Sequence, residues 1–290
     1  MNNLSNISNI KDILSRHGFN FSKSLGQNFL INPDICPKMV KHCGISKEDA
    51  VLEIGPGIGV LTYELASIAN KVVSVELDKR LIPVLDETLT DFNNVKIINS
   101  DILKIDIKSL IENEFSNRKV FVCANLPYYI TSPVIMRLLE EKLPIESITV
   151  MVQKEAAERI CAKPGSRESG AISLAVRYYA EPEILFNVSR GNFFPSPNVD
   201  SCVIKLNILK KAISNVKNEK LLFLLIKAGF SKRRKTILNS FSSGLSIQKN
   251  TIIKCLEKSK VSPNLRPEQL TLEDFISISN NLFLIQGDKN

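Results

Sequence analysis

Four positions in the first half of the chain could act on one ligand. Gly55, Glu76, Asp101 and Asn125 each close or follow a short β-rich apolar run, at successive separations of 21, 25 and 24 residues. The first belongs to Glu53-Ile-Gly-Pro-Gly-Ile-Gly59, with glycine at every second position from Gly55. Such a loop lets backbone approach a ligand closely, and the helix expected behind it begins with free N–H groups. It is not the G-x-G-x-x-G dinucleotide fingerprint, nor a phosphate loop, because no Lys-Ser/Thr pair follows. An acidic residue at Glu76 suits a ribose, since one carboxylate can accept from both the 2′- and 3′-hydroxyls. Taken singly, the glycines could form a plain tight turn and Asp101 or Asn125 a helix cap. Together they point to an adenosyl ligand. Without consecutive phosphate-binding features, S-adenosylmethionine fits better than a dinucleotide, and no metal is expected.

Asn125 also opens Asn125-Leu-Pro-Tyr-Tyr129. An exocyclic amino group on adenine is a poor nucleophile because its lone pair is delocalised into the ring. A site can accept both N–H hydrogens, one on the Asn125 side-chain oxygen and one on the Leu126 carbonyl. That favours a pyramidal nitrogen with its lone pair free to attack. Pro127 lacks an N–H and stiffens the turn, and the Tyr128 ring can stack on a flipped base. No general base is required, because the proton can leave after transfer. Positioning then supplies much of the catalysis. A second segment, Phe193-Phe-Pro-Ser-Pro-Asn-Val-Asp-Ser201, offers Phe193 as the opposite face of a base sandwich, held by Pro195 and Pro197. Phe193 could equally be a core side chain at a loop.

The elements that must position these residues alternate in type. Strand-like runs at 51–55, 72–76, 95–98, 120–124 and 148–152 are interleaved with helical spacing at 60–69, 81–89 and 133–141. This is the pattern of right-handed βαβ units and a mostly parallel sheet. Such sheets bind ligands beyond the C-terminal ends of their strands. After a further strand at 201–206 the helical pattern takes over, around 218–230, 232–242, 248–258 and 271–283, with turn signals at Ser242-Ser-Gly244 and Ser262-Pro263. A domain boundary is expected near 208–215, dividing the chain into 1–210 and 211–290. The first twenty residues carry no useful pattern and are expected to form a mobile arm.

Composition bounds the function. The 290 residues are 44% hydrophobic and 23% charged, an ordinary globular composition. No apolar run approaches the ~18 residues of a spanning helix, and the polar first thirty residues, carrying Asp12, do not read as a signal peptide. A cytoplasmic protein is expected. The six cysteines, at 36, 43, 123, 161, 202 and 255, form no C-x-x-C pair and read as reduced thiols. His17 and His42 are the only histidines available for a catalytic Cys–His pair. Net charge is +8, but residues 1–209 carry 23 basic and 24 acidic side chains, whereas 210–266 carry 14 basic and 2 acidic. The positive excess lies in one stretch. It is either a solvated lysine-rich surface or a patch that neutralises phosphates, and composition does not separate nucleic acid from an anionic membrane.

Taken together, these segments resemble the bacterial small-subunit ribosomal RNA adenine dimethyltransferases, the kasugamycin-resistance methyltransferases. The resemblance covers nearly the whole chain. It is carried by Lys23-Ser-Leu-Gly-Gln-Asn-Phe-Leu30, the glycine loop, Asn125-Leu-Pro-Tyr128, Gln153-Lys-Glu155, Pro164-Gly-Ser166, Phe193 to Ser201 and Phe230-Ser-Lys-Arg-Arg-Lys-Thr236. The resemblance implies an α/β fold: a Rossmann-like class I S-adenosylmethionine-dependent methyltransferase domain with a smaller all-helical C-terminal domain. It implies that Asn28 and Leu30 close over the methionine end of the cofactor with Gly55 beneath it. Glu76 would hold the ribose and Asp101 the adenine amino group. Asn125 and Leu126 would hold the target nitrogen, with Tyr128 and Phe193 on the base. The implied substrate is 16S rRNA in a pre-assembled small ribosomal subunit, on which two adjacent adenosines near the 3′ end are each methylated twice. A checkpoint in subunit assembly and a monomeric state are also implied. Lys232, Arg233, Arg234 and Lys235 become candidate contacts to the rRNA backbone.

Two other readings compete. A resistance-type adenine methyltransferase of large-subunit rRNA shares the fold, the cofactor site and a similar tetrapeptide. The Phe230–Thr236 segment, the Val199-Asp-Ser201 ending and the longer helical C-terminal portion are closer to the small-subunit enzymes. A non-catalytic assembly factor on the same scaffold is disfavoured by the intact Asn125-Leu-Pro-Tyr128. DNA adenine methyltransferases usually show Pro where this chain has Leu126.

Overall fold

The computed structural model describes residues 3–19, 27–211, 213, 215–232 and 234–287. Nine strands occur among them: β1 (Phe29–Leu30), β2 (Ala50–Ile54), β3 (Lys71–Glu76), β4 (Val95–Asn99), β5 (Val120–Asn125), β6 (Ser147–Gln153), β7 (Ala180–Val188), β8 (Phe193–Phe194) and β9 (Ser201–Ile208). Seven form one sheet in the order β4-β3-β2-β5-β6-β9-β7. The five from β4 to β6 are parallel, and β9 runs antiparallel to β6. β2 is fully buried along its length, as a central strand covered on both faces must be. The chain order reverses on either side of β2, so the switch point lies where β2 and β5 adjoin. β1 and β8 make a separate two-stranded sheet, with Leu30 opposite Phe193.

The chain divides into two compact units, Met1–Ala157 with Glu181–Ile208, and Glu158–Ala180 with Leu209–Asn290. One bound between the units falls after Ile208. The second unit is larger than the 211–290 read from sequence, because it takes in 158–180. Within it Leu174 and Tyr178 of the helix Ala171–Tyr179 join a core with Leu222, Ile226, Phe241, Leu256 and Phe275. The four C-terminal helices are Glu219–Gly229, Ile237–Gly244, Lys249–Lys258 and Leu272–Gly287. The second starts five residues later than its periodicity suggests. Thr236 caps it, its hydroxyl accepting from the Asn239 N–H at 3.4 Å, so the basic run precedes the helix.

The N-terminal residues differ from the expected mobile arm. Ile7–Arg16 is a helix whose Asn6 cap accepts from the Ser8 N–H at 2.8 Å. Its Ile10, Ile13 and Leu14, spaced along one face, are buried in the core of the first unit with Met39, Leu65 and Leu85. His17 and Arg16 both pair with Glu87, each at 2.7 Å. The six cysteines are all free thiols, five of them buried. Among the described residues no helix is long and apolar enough to cross a membrane, and no cluster of side chains is suited to a metal.

Candidate active site

The strand ends converge because parallel neighbours in register terminate together. Glu53 pairs with Ser74 in β3 and Cys123 in β5, and Glu76 pairs with Asn99 in β4. A cavity of about 230 Å³ opens beyond these ends. Gly55, Glu76, Asp101, Asn125, Leu126, Pro127 and Tyr128 line it, and so do Asn28, Leu30 and Phe193. All ten residues expected at the cofactor and base sites therefore share one wall. Of the four basic candidates, Lys232, Arg234 and Lys235 are exposed in the second unit. Arg233 lies outside the described residues, as do 23–26 of the N-terminal segment.

The glycine loop shows why its residue types are needed. Gly55 has φ +68° and Gly57 φ +62°, a region that side chains rarely adopt. A Cβ on Gly57 would also lie 3.1 Å from Phe29 Cε1, so the loop and the β1 segment touch only because glycine stands there. At Gly55 a Cβ would meet only Pro127 Cδ at 4.0 Å; its backbone faces open space on the cavity side.

The acidic residues are held in different ways. Glu76 Oε1 accepts from the Asp78 N–H at 2.8 Å and Oε2 from the Gly57 N–H at 3.3 Å. Burial raises its pKa above the ordinary value, and these two N–H groups pull the other way. The carboxylate is thus fixed with lone pairs to spare. Asp101 Oδ1 accepts from the Leu103 N–H at 2.9 Å, and Oδ2 lies 3.5 Å from Lys104 Nζ. Its loop is tied down by Arg137, which donates to the carbonyls of Ile102 and Ile105 at 2.7 and 2.6 Å.

Glu53 is not among the site residues that the sequence suggests, yet it lines the cavity at 1% exposure. Its Oε2 accepts from Ser74 Oγ at 2.6 Å, and its Oε1 is buried. Burial pushes its pKa up to about 7, against the Ser74 and Thr62 hydroxyls. Its place inside a fully buried strand is the signal: a carboxylate there needs a partner.

The tetrapeptide leaves β5 at Asn125. The Leu126 N–H donates to the Met151 carbonyl at 3.2 Å, and Leu126 is buried at the root of the loop. Tyr128 is half-buried, its hydroxyl 2.8 Å from Ser201 Oγ, the last residue of the second segment. Burial raises the Tyr128 pKa and the Ser201 hydroxyl lowers it. Phe193 is 4% exposed and packs in the core beside Leu30 while still lining the cavity. Two connections thus tie the segments of the site together: Tyr128 to Ser201, and Leu30 to Phe193. Tyr129, also on the wall, is 54% exposed.

The chain is similar in sequence and fold to known proteins over most of their length. The chain is 47% identical over 283 residues to the ribosomal RNA small subunit methyltransferase A of Alkaliphilus oremlandii, covering 97% of this chain and 99% of that protein. It is 44% identical to the protein of the same name from Clostridioides difficile, covering 97% of each. Among solved structures, a dimethyladenosine transferase from Plasmodium falciparum superposes with a TM-score of 0.73 at 26% identity, over 90% of this chain and 98% of that one. The 23S rRNA methyltransferase ErmE superposes with a TM-score of 0.66 at 23% identity, over 88% and 99%, which shows a common fold. The expected class I methyltransferase architecture is therefore present. A family model for ribosomal RNA adenine dimethylases matches residues 18–283, and with nearly the whole sequence and the strand-end cavity in agreement, the chain belongs to the ribosomal RNA adenine dimethylase family.

Proposed function

We propose that this protein transfers methyl groups from S-adenosylmethionine to the exocyclic amino groups of two adjacent adenosines near the 3′ end of 16S rRNA, in an assembling small subunit. It is an rRNA adenine N6,N6-dimethyltransferase. The observation that carries the reading is that Asn125-Leu-Pro-Tyr128 stands on the wall of the same cavity as Gly55, Glu76 and Asp101. Amino-group chemistry and an adenosyl site thus share one space.

The cavity wall fits S-adenosylmethionine. Gly55 leaves room for close approach, Glu76 keeps acceptor capacity for two hydroxyls, and Asp101 retains lone pairs for an amino group. Asn28 and Leu30 would cover the methionine end. When bound, the cofactor supplies an activated methyl on a sulfonium. The protein's own part is to accept the target amino hydrogens on Asn125 Oδ1 and the Leu126 carbonyl, and to hold the base between Tyr128 and Phe193. No side chain has to remove a proton before transfer. Lys232, Arg234 and Lys235 would meet rRNA phosphates.

Small-subunit rather than large-subunit rRNA is favoured by the names of the relatives at 44–47% identity. The deciding experiment incubates purified protein and labelled S-adenosylmethionine with small subunits that lack the modification, then identifies methylated nucleosides by mass spectrometry. About four methyl groups per subunit, on two neighbouring adenosines, is the expected result. Label only on large-subunit RNA would overturn the substrate. No label despite tight subunit binding would overturn the enzymatic reading.

A further inference from the structure

Asp78 lies at the joint between two parts of the cavity wall and belongs to neither the cofactor nor the base positions assigned above. It is buried, 6% exposed, two residues beyond Glu76. Its backbone N–H donates to Glu76 Oε1 at 2.8 Å. Its Oδ2 accepts from Gln27 Nε2 at 2.8 Å, and Gln27 immediately precedes Asn28. Arg80 clamps the same carboxylate, with Nε 2.8 Å from Oδ1, Nη2 2.6 Å from Oδ2 and its backbone N–H 3.1 Å from Oδ1. The guanidinium carbon sits 4.9 Å from the Phe19 ring centroid. Arg80 holds the Asp78 carboxyl below its ordinary pKa, so the anchor stays charged.

We propose that Asp78, clamped by Arg80, is a positioning residue for the cofactor, fixing Glu76 through its backbone and the Asn28–Leu30 segment through Gln27. The inference rests on the cavity being the S-adenosylmethionine site. Its physical basis is that β1, a two-residue strand paired with β8, is joined at its start to Asp78 by a charge-assisted hydrogen bond from Gln27. Both parts of the wall then take their position from one rigid anion. Hydrogen bonds to charged groups are the stronger kind.

The test titrates S-adenosylmethionine into the full-length protein by calorimetry and measures methyl transfer to unmethylated small subunits. The variants are Gln27→Ala, Gln27→Glu, Asp78→Ala and Gln27→Ala combined with Asp78→Ala. Gln27→Ala should weaken cofactor binding about tenfold. It should raise KM for S-adenosylmethionine, leaving kcat, KM for subunits and the ligand-free thermal midpoint near wild type. Gln27→Glu, which sets a second carboxylate against Asp78, should weaken binding further. In the Asp78→Ala background Gln27→Ala should have no added effect. Unchanged affinity in both Gln27 variants would overturn the proposal. So would Gln27→Glu binding as well as Gln27→Ala, a comparison that stands even if Asp78→Ala fails to fold. An equal loss in the Asp78→Ala background would mean that Gln27 meets the ligand directly, and would also overturn it. A wild-type protein that binds no S-adenosylmethionine would overturn the cavity assignment itself, a result distinct from all of these.

Discussion

Tyr128 combines two interactions that substitution can separate. Its ring lines the cavity, and its hydroxyl is 2.8 Å from Ser201 Oγ. Ser201 is fully buried at the start of β9, so the hydroxyl pair orients the ring and satisfies a group that water cannot reach. Tyr128→Phe keeps the ring and removes one hydrogen bond, about 0.5–1.5 kcal/mol. If that energy orients the ring in the transition state, kcat/KM for the subunit should fall about two- to twelvefold. Tyr128→Ala removes the stacking platform as well, about 1–3 kcal/mol more, a further factor of about five to 150. S-adenosylmethionine affinity should stay near wild type in both variants, since neither change touches Glu76 or Asp101. The assay is initial-rate methyl transfer to unmethylated small subunits, with calorimetry on the cofactor as control. A Phe variant as impaired as the Ala variant would refute the stacking role, because the ring would then contribute nothing. An Ala variant at wild-type rate would refute any role in the reaction.

Three further outcomes are expected. Asn125→Ala should lower kcat by about 10²–10³, the scale of removing a donor or acceptor that matters most in the transition state, while the protein still binds S-adenosylmethionine; near-normal turnover would remove Asn125 from the mechanism. Glu53 has its pKa raised from 4.5 to about 7, so the folded state holds the proton more tightly than the unfolded one. Its contribution to stability is complete below pH 4.5 and is lost as pH rises to about 7. Glu53→Gln, which cannot ionise, should therefore gain on wild type in ligand-free thermal midpoint across that window, and a constant gap would contradict the shift. Replacing Lys232, Arg234 and Lys235 by Ala together should flatten the salt dependence of subunit binding by about 0.7–0.9 log units per log salt for each phosphate no longer neutralised; an unchanged slope would place the rRNA-binding surface elsewhere.

Much of the candidate site is legible in the sequence because its residues are local to strand ends. An apolar run that stops at a polar residue or a glycine marks both the strand and its terminus. Gly55, Glu76, Asp101 and Asn125 can thus be placed at a common edge once the strands are taken as parallel. The helical C-terminal portion is legible for the same reason, through its periodicity. The start of the helix at Ile237 is not, because the preceding basic run fits helical spacing as well as it fits a turn, and only the Thr236 cap decides. Pairings between distant segments leave no local mark. Leu30 opposite Phe193, Tyr128 against Ser201 and Gln27 on Asp78 join residues 51 to 163 positions apart. Nothing in the neighbourhood of either partner specifies the other. Ile10, Ile13 and Leu14 make a stripe too short to distinguish a docked helix from an arm, and it is the core of the first unit that buries them. The same holds for residues 158–180, whose helix could face either unit by its pattern, and whose Leu174 and Tyr178 lie in the second unit's core. The sequence by itself determined which chemical groups stand at the strand ends, since backbone propensity and strand length are local properties. The tertiary structure alone decided which segments close on one another, since that depends on burial and hydrogen-bond pairing across the whole fold.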